Sequence, residues 1–320
     1  MLNLRNKKVL ITGHEGFLGS NMVRNLLEKG CEITGLDRVL NRPISVLKGY
    51  RKRISQVKAD VSDLNRMLSI IKTRRPEIII HLAAESIVGR AKKDPVRVFK
   101  SNIQGTWNVL EASRGLSGIR AVIVASSDKA YGHSKRLPYT EGMNLSGLHP
   151  YDASKSCQDI IARTYHVSYG LPVCVVRCGN IYGPGDFNFS RLIPDVIYSL
   201  IKSRPFTVRS DGTYKRDYVY VDDIVNGYMM ICQNIASRGL YGQAFNLSCE
   251  RPFTVIDVIK VIEKIMDKNI NGLKILDQAK DEIHDQYLSS GKIHKAIGWK
   301  PTFSLDEGLR STISWYEKVF

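Results

Sequence analysis

The sequence predicts an α/β fold with a doubly wound parallel sheet and a smaller C-terminal lobe. Short β-rich runs alternate with longer helical patterns over the first 178 residues, and several runs are almost continuously apolar. Such strands are covered on both faces, as in a parallel sheet with helices on each side. After Gly183-Pro184-Gly185, a strong turn signal, the pattern becomes less regular.

The predicted elements follow one another in a strand–helix rhythm. Strands are predicted at Lys8–Thr12, Glu32–Asp37, Gln56–Asp60, Glu77–Ala83, Arg120–Ser126 and Pro172–Cys178. Helices are predicted between them at Leu18–Lys29, Leu64–Arg74, Val96–Arg114 and Ser154–Tyr169. Further on, helices are expected near Arg191–Lys202, Asp222–Ile235, Thr254–Asp267 and Ser304–Val319, with a strand near Ala244–Leu247. We expect one domain over 1–178, with later returns of the chain near 214–249, and a second lobe formed mostly by 179–320.

The composition is that of an ordinary globular protein. Lys and Arg number 47 against 31 Asp and Glu, which gives a formal charge of +16. The dense basic run near Lys48 to Arg53 falls on a predicted loop, so we expect a solvated surface and no nucleic-acid partner. Neither a membrane-spanning run nor a signal peptide is expected, and the six cysteines lack metal-ligand spacing. These observations favour a cytoplasmic protein with reduced thiols and without a metal.

A glycine-rich turn follows the first predicted strand. Gly13, Gly16 and Gly19 permit a tight turn, close approach of a pyrophosphate and close packing of the next helix. The N-terminus of that helix offers free N–H groups to phosphate. The alternative is three turn glycines without a ligand, but the strand before and the helix after favour a dinucleotide.

The ends of the second and third predicted strands carry acidic residues. A carboxylate at Asp37 accepts hydrogen bonds from ribose hydroxyls and repels a 2′-phosphate, which favours NAD over NADP. Arg38 beside it reduces that preference. Asp60, with Val61 in the same predicted pocket, can meet the adenine amino group. The alternative for Asp60 is a cap on the helix that starts near Asp63.

A second pattern, Y-x-x-x-K, is formed by Tyr151 and Lys155 near the start of a predicted helix. The four-residue spacing puts both side chains on one helical face. We expect the nearby ammonium, with a positive nicotinamide ring, to lower the pKa of Tyr151, so that it can take a proton from an alcohol. Ser127, at a strand end, can bind the same alcohol. The alternative is a surface tyrosine with a solvated lysine.

With these motifs the chain resembles the extended short-chain dehydrogenase/reductase family of nucleotide-sugar enzymes. The matching stretches are TGHEGFLGS, HLAAES, NIQGTWNVLEA, SSDKAYG, PYDASK, RCGNIYGPGD, RDYVYVDDI and GWKPTFSLDEGL. The resemblance implies a two-lobed Rossmann-type fold, a bound NAD used catalytically and an NDP-sugar substrate. It also implies that Tyr151 is the base, with Lys155 as its lysine, and that Asn102, Ala83 and Ala84 help to form the cofactor pocket.

Ser127-Asp128-Lys129 bears on the subfamily. This set resembles the 4,6-dehydratases that act on CDP-glucose, which implies oxidation at C4, loss of water across C5–C6 and return of hydride to C6. Asp128 would then give a proton to the departing C6 oxygen. Many dehydratases carry Glu where this chain has Lys129, so Lys129 fits only if it is partly neutral or acts through water. The alternatives are a 4-epimerase and, in a different class, a catalytically silent NAD-binding scaffold.

The family resemblance also indicates the substrate side and the assembly. Arg216 matches a pyrophosphate-binding arginine, and Asn180 and Arg191 match positions that line the sugar and diphosphate. Ser86 is expected beside the sugar, whereas a solvated helix residue is the alternative for Arg191. The helices predicted at Val96–Arg114 and Ser154–Tyr169 carry apolar residues beyond one stripe, and relatives pair such helices, so we expect a homodimer.

Overall fold

The computed structural model describes residues 1–279 and 282–320. Within them, the strands are β1 Lys8–Thr12, β2 Glu32–Asp37, β3 Ser55–Lys58, β4 Ile78–His81, β5 Ala121–Ala125, β6 Val173–Cys178, β7 Asn180–Tyr182, β8 Thr207–Val208, β9 Lys215–Tyr220, β10 Ala244–Leu247, β11 Pro252–Thr254, β12 Lys274–Ile275 and β13 Asp285–Gln286. The α-helices are α1 Phe17–Glu28, α2 Leu64–Arg74, α3 Val88–Lys93, α4 Pro95–Phe99, α5 Gly105–Arg114, α6 Pro150–Tyr169, α7 Leu192–Ile201, α8 Val221–Asn234, α9 Val255–Met266, α10 Gly291–Ile297 and α11 Leu305–Val319.

The main sheet is parallel throughout. Over the described ranges it has seven strands in the order β3-β2-β1-β4-β5-β6-β10. The order reverses between β1 and β4, and in such sheets ligands bind beyond the carboxyl ends of the strands at that point. Two buried apolar clusters contain side chains of the β1, β4, β5 and β6 strands, and the side chains alternate between the clusters along each strand. The predicted doubly wound α/β fold is confirmed.

The second lobe is built from short strands and the late helices. The β9 strand pairs with β7, β11 and β13, and β8 pairs with β12. Of the later elements, β10 leaves this lobe and pairs in parallel with β6 at the edge of the main sheet. In the part of the chain described, no helix is long and apolar enough to cross a membrane.

Several predicted elements differ from the observed ones. The strand predicted at Glu77–Ala83 covers only Ile78–His81, so Ala83 lies in the following loop. The helix predicted at Val96–Arg114 is split into α4, a π-helical turn at Lys100–Gln104 and α5, and α3 precedes it unpredicted. The helix predicted from Ser154 begins at Pro150, since proline is well suited to the first helical position. The strand predicted at Gln56–Asp60 ends at Lys58, so Asp60 lies in the following loop.

A buried ion pair joins α6 to the sheet. The Nε and Nη2 atoms of Arg177 on β6 donate to Asp159 on α6 at 2.7 and 2.9 Å, and both side chains are at most 1% exposed. The Nη1 atom donates to the Tyr131 hydroxyl at 2.7 Å, and that hydroxyl donates to Asn246 Oδ1 on β10 at 2.7 Å. Two strands, one helix and the turn after β5 are therefore held by one network.

We expect Asp159→Ala to lower the free energy of unfolding by about 3–5 kcal/mol, because it leaves the Arg177 charge buried without its partner. The exposed pair of Asp306 and Arg310 provides a control, since Asp306→Ala should cost no more than about 0.5 kcal/mol. Urea denaturation measures both. If Asp159→Ala and Asp306→Ala lower the free energy of unfolding equally, the stabilising role of the buried pair is contradicted.

Candidate active site

The glycine turn after β1 has the geometry of an anion site. Gly13 has a φ of +75°, and a Cβ there would lie 2.9 Å from the backbone nitrogen of Ala83. A Cβ on Gly19 would lie 2.1 Å from the Gly13 carbonyl oxygen. Gly16 precedes α1 and provides no side chain to cap its N–H groups. These close approaches and uncapped amides fit a pyrophosphate at the N-terminus of α1.

The carboxylate of Asp37 is fixed at the end of β2. It accepts the backbone N–H groups of Glu15 and Val39, each at 3.2 Å. The guanidinium of Arg38 lies 3.7 Å from Asp60, so its charge is partly balanced by that carboxylate rather than by Asp37. This arrangement fits the ribose hydroxyls of NAD better than a 2′-phosphate.

Asp60 does not cap a helix, so that alternative for it is wrong. Its Oδ1 accepts the N–H and the hydroxyl of Ser62, both at 2.9 Å, whereas α2 is capped by Asp63, which accepts Arg66 N–H at 2.9 Å. Val61 is buried, and a Cβ on Gly105 would lie 2.5 Å from its Cγ2. Val61 thus packs against the start of α5.

The π-helical turn carries Asn102 into the interior. Its Oδ1 accepts Glu85 N–H at 2.7 Å, and its Nδ2 donates to the Glu85 carbonyl at 3.2 Å and to Ser154 Oγ at 2.9 Å. Asn102 therefore joins the loop after β4, which contains Ala83 and Ala84, to α6. That loop and the first turns of α6 meet at the carboxyl edge of the sheet.

His81 was not singled out from the sequence, although it lies in the HLAAES stretch. Its Nδ1 is 2.8 Å from Thr12 Oγ1, and its Nε2 is 3.1 Å from Thr106 Oγ1. The Thr106 hydroxyl donates its hydrogen to the Asn102 carbonyl at 2.6 Å, so it accepts from a protonated Nε2. The Nδ1 atom then accepts from Thr12. Burial, with Lys155 nearby, lowers the pKa of His81 to about 3, which agrees with a neutral ring.

Lys155 lies one turn beyond Tyr151 on α6. Its Nζ donates to the Ala125 carbonyl and to Gln158 Oε1, each at 2.8 Å, and lies 5.9 Å from the centre of the Tyr151 ring. Burial lowers the pKa of Lys155 to about 8. Gln158, one more turn along the helix, was not predicted, because glutamine on a helix gives no sequence signal.

The environment of Tyr151 differs from the one expected. Burial raises its pKa to about 12, which favours the neutral phenol in the protein alone. The positive charge of Arg191 and a hydrogen bond between Tyr151 and Ser127 oppose this rise, whereas Asp128 adds to it. In the protein alone Arg191 is therefore the main cation that lowers this pKa, and the lowering expected from Lys155 together with a bound nicotinamide ring stays a prediction.

Ser127, Asp128 and Lys129 form a compact turn after β5. Asp128–Tyr131 is a 3₁₀ turn capped by Ser127, whose Oγ accepts Lys129 N–H at 3.2 Å and donates to Asp128 Oδ1 at 2.9 Å. Asp128 is buried. Ser127 is therefore the cap of this turn.

Lys129 is half-buried and has a partner far away in the chain. Its Nζ donates to Gln286 Oε1 on β13. Burial lowers the pKa of Lys129, and Asp128 and Asp152 oppose this decrease, while Arg216 adds to it. The partly neutral lysine considered from the sequence is consistent with this environment. Asp152 and Gln286 were both missed, since neither belongs to a recognised motif.

The residues expected on the substrate side lie at different depths. The guanidinium of Arg216 donates to the carbonyls of Ile283 and His284, each at 2.6 Å. Asn180 begins β7, and Arg191 precedes α7, where its Nη1 lies 3.0 Å from Asp186 Oδ2. Arg191 is thus paired and close enough to affect Tyr151, unlike a solvated helix residue. Ser86 lies in the loop after β4 and is the exposed one among the four residues expected on the substrate side.

Comparisons with known proteins agree with this arrangement. A model of the NAD dependent epimerase/dehydratase family matches residues 9–248. The chain is 30% identical to dTDP-glucose 4,6-dehydratase 1 of Escherichia coli (strain K12), over 97% of this chain and 92% of the relative. A dTDP-glucose 4,6-dehydratase of Streptomyces venezuelae, solved with NAD bound, has a TM-score of 0.89 and 28% identity over 97% of both chains. The UDP-glucose 4-epimerase of Thermotoga maritima, solved with UDP-glucose, has a TM-score of 0.88 and 27% identity over 98% of this chain and 99% of that one.

The chain belongs to the NAD dependent epimerase/dehydratase family. It is an NAD-dependent enzyme of nucleotide-sugar metabolism, a dehydratase or an epimerase, and the prediction of NAD as its cofactor is confirmed.

Removal of the Asp37 carboxylate should weaken the preference for NAD over NADP. A hydrogen bond to a charged group contributes about 1.5–3 kcal/mol, so we expect Asp37→Ala to reduce the ratio of the two affinities by roughly ten- to a hundredfold. Titration of cofactor-free protein with each nucleotide measures the ratio. Asp63→Ala, which removes only the cap of α2, should leave it unchanged. Tighter binding of NADP than of NAD by the parent chain would contradict the role of Asp37.

The buried neutral histidine should make the fold sensitive to acid. The unfolded chain binds a proton at His81 below about pH 6.5, whereas the folded chain resists protonation down to about pH 3. The free energy of unfolding therefore decreases as the pH is lowered from about 6.5 to about 3. The contribution is at most about 1.4 kcal/mol for each pH unit. Urea denaturation at several pH values should therefore show that acidification lowers the free energy of unfolding less for His81→Gln than for the parent. A His133→Gln control, at an exposed position, should retain the parent slope.

Proposed function

We propose that the chain is an NDP-sugar 4,6-dehydratase that converts a nucleotide-linked glucose to its 4-keto-6-deoxy form. The observation that carries the proposal is the buried carboxyl of Asp128, which is hydrogen-bonded to Ser127 and within electrostatic range of Tyr151. An elimination needs an acid at this point, and a 4-epimerisation does not. The dTDP-glucose 4,6-dehydratases among the relatives support the same reaction.

Each residue of the site has a role in this reaction. Tyr151 takes the proton of the O4 hydroxyl, and Ser127 holds that oxygen. NAD, held by the glycine turn after β1 and by Asp37, would supply the hydride acceptor for C4 and the hydride donor for C6. The C5 proton, acidified by the adjacent ketone, passes to the neutral amine of Lys129, and Asp128 protonates the C6 oxygen, which departs as water. Lys129 gives the proton back to C5 when hydride adds to C6. Residues 179–320 hold most of the nucleotide diphosphate, with Arg216 at its phosphates.

Lys129 also provides the observation that favours a second candidate. A 4-epimerase uses Tyr151 and NAD in the same first step but needs neither an acid for C6 nor a base for C5. The presence of lysine where many dehydratases carry glutamate, together with the likeness to a UDP-glucose 4-epimerase, supports this alternative. Burial of Lys129 favours the amine over the ammonium, which supports the dehydratase.

Two nucleotide bases have support. The Ser127-Asp128-Lys129 set favours CDP-glucose, whereas the relatives from Escherichia coli and Streptomyces griseus act on dTDP-glucose, as their names state. A panel of CDP-, dTDP- and UDP-glucose, analysed by mass spectrometry, separates the possibilities. A product lighter by one water identifies a dehydratase, and an isomer of unchanged mass identifies an epimerase. Retained NAD with no turnover of any sugar would identify a silent scaffold.

Asp128→Asn should separate the first step from the elimination. The amide keeps the size of the side chain but has no carboxylic proton, and loss of a general acid costs about a hundred- to ten-thousandfold in rate. We expect this variant still to reduce bound NAD, seen by absorbance, while water loss almost stops. Tyr151→Phe should block the reduction itself.

Asp211→Asn is the matched control, because Asp211 lies in an exposed turn and bonds only locally to Thr213. It should turn over substrate at the parent rate. If Asp128→Asn also keeps the parent rate and its product has the mass of the substrate, the dehydratase proposal fails and the epimerase takes its place.

We also propose that the chain forms a homodimer through α4, α5 and α6. These helices expose large apolar side chains, which would be covered in a dimer: Val96, Phe99, Trp107, Ile160 and Val167. Such a face is unusual on a monomer. The α5 and α6 helices pack on each other, with the Tyr165 hydroxyl donating to Glu111 at 3.0 Å, so they present one continuous surface.

The mass in solution tests the dimer. We expect the parent chain to have twice the mass of one chain at micromolar concentration. Ile160→Glu should give a monomer, because it buries a charge in the interface. Leu276→Glu alters an equally apolar exposed side chain in the other lobe and should leave the dimer intact. A parent chain that is monomeric by light scattering would refute the proposal.

A further inference from the structure

Gln286 lies beside the candidate active site without belonging to any motif. It is the last residue of β13, is fully buried, and pairs in parallel register with Arg216 on β9. Its side-chain oxygen accepts the Lys129 Nζ. Lys129 and Gln286 are 157 residues apart, so the contact joins the turn after β5 to the second lobe.

The nitrogen of the same amide has no partner. Among the residues that the structure describes, Gln286 Nε2 is one of few buried side-chain nitrogen or oxygen atoms without a hydrogen bond. An amide nitrogen carries two donors, and a buried donor without an acceptor is costly. The amide oxygen faces the Lys129 Nζ, which carries hydrogens in both of its protonation states, so this orientation of the amide suits the amine as well as the ammonium.

We propose that Gln286 has two roles: its oxygen positions Lys129, and its Nε2 donates to an acceptor oxygen of the bound nucleotide sugar. The inference rests on the proposed function, since Lys129 acts in the elimination. The acceptor is either a hexose oxygen or a diphosphate oxygen. Arg216 beside Gln286 and the Lys129 Nζ make the surroundings rich in donors, which suits an oxygen-rich anionic ligand.

Lys129 experiences several charges besides the Gln286 dipole. The ionisable groups that act on it come from the turn after β5, the start of α6, β9 and the segment before β13: Asp128, Asp152, Arg216 and Glu282. A neutral amide adds no charge to this set but fixes where the Nζ lies. Replacing it by a carboxylate would favour the ammonium, and replacing it by a thioether would release the Nζ.

Two variants separate the roles. Gln286→Met retains the length and burial of the side chain but removes both polar atoms. We expect the dissociation constant of the best-bound sugar among CDP-, dTDP- and UDP-glucose to rise at least about tenfold, as for loss of one hydrogen bond in a buried site. Binding of the matching nucleoside diphosphate identifies the acceptor: it weakens equally if the oxygen belongs to the diphosphate and is unaffected if it belongs to the hexose.

Gln286→Glu tests the positioning role. The carboxylate should raise the pKa of Lys129, which ¹⁵N NMR of lysine-labelled, NAD-loaded protein measures without substrate. The acid limb of the kcat profile, where Lys129 becomes protonated, should move to higher pH by the same amount. A residue with only a structural role would change the yield or stability of the protein and leave the Lys129 titration in place.

Gln243→Met serves as the control, since Gln243 bonds only to the Gly239 carbonyl at the surface. Unchanged sugar affinity in Gln286→Met, or an unchanged Lys129 titration in Gln286→Glu, would overturn the inference. If the parent binds the sugars without releasing water while Gln286→Met weakens their binding, the proposed dehydration fails and the donor role of Gln286 stands.

Discussion

The arrangement of the site depends on the buried ion pair between Arg177 and Asp159. Tyr151, Lys155 and Asp159 follow one another at four-residue spacing along α6, so they share one face of the helix. Because Asp159 is held against β6, the rotation of α6 about its axis is fixed. The directions in which Tyr151 and Lys155 point are therefore fixed as well. Because the same guanidinium also donates to Tyr131, the turn that carries Ser127 and Asp128 is held in register with α6.

Such a pair contributes specificity of position more than it contributes stability. Two apolar side chains of similar volume would fill this space at comparable free energy, whereas one unpaired charge would not be tolerated. Arg177 is further satisfied by Tyr131, and Tyr131 passes its single hydrogen to Asn246, which in turn donates to the Tyr139 carbonyl. Every polar side-chain atom of Asp159, Arg177, Tyr131 and Asn246 has a partner, so the network favours one arrangement of α6, β6 and β10.

Local patterns were enough to predict the first half of the fold and the two main motifs. Gly13 and Gly19 occupy positions where a side chain would clash, and Tyr151 and Lys155 share a helical face because of their spacing alone. Contacts between distant segments could not be predicted in this way. Gln286 reaches Lys129 from the other lobe. In the sequence Asp159 looks like an ordinary helix residue, and only the packing of α6 on β6 shows its ion pair with Arg177. The π-helical turn at Asn102 also escaped prediction, since its extra residue is stabilised by tertiary bonds to Glu85 and Ser154.

The chain therefore uses one set of ionisable groups to fix the geometry of the site and another set to take part in proton transfer. Arg177 and Asp159 are paired and stay charged, which fixes geometry. Lys155 is buried, Tyr151 and Lys129 are half-buried, and the charges around them are few or opposed, so loss of solvent shifts each toward its neutral form. In that state a bound ligand that brings its own charge has a large effect on all three, because the protein supplies little screening around them. Proton transfer is thereby linked to ligand binding, and in the site without ligand Tyr151 stays a phenol.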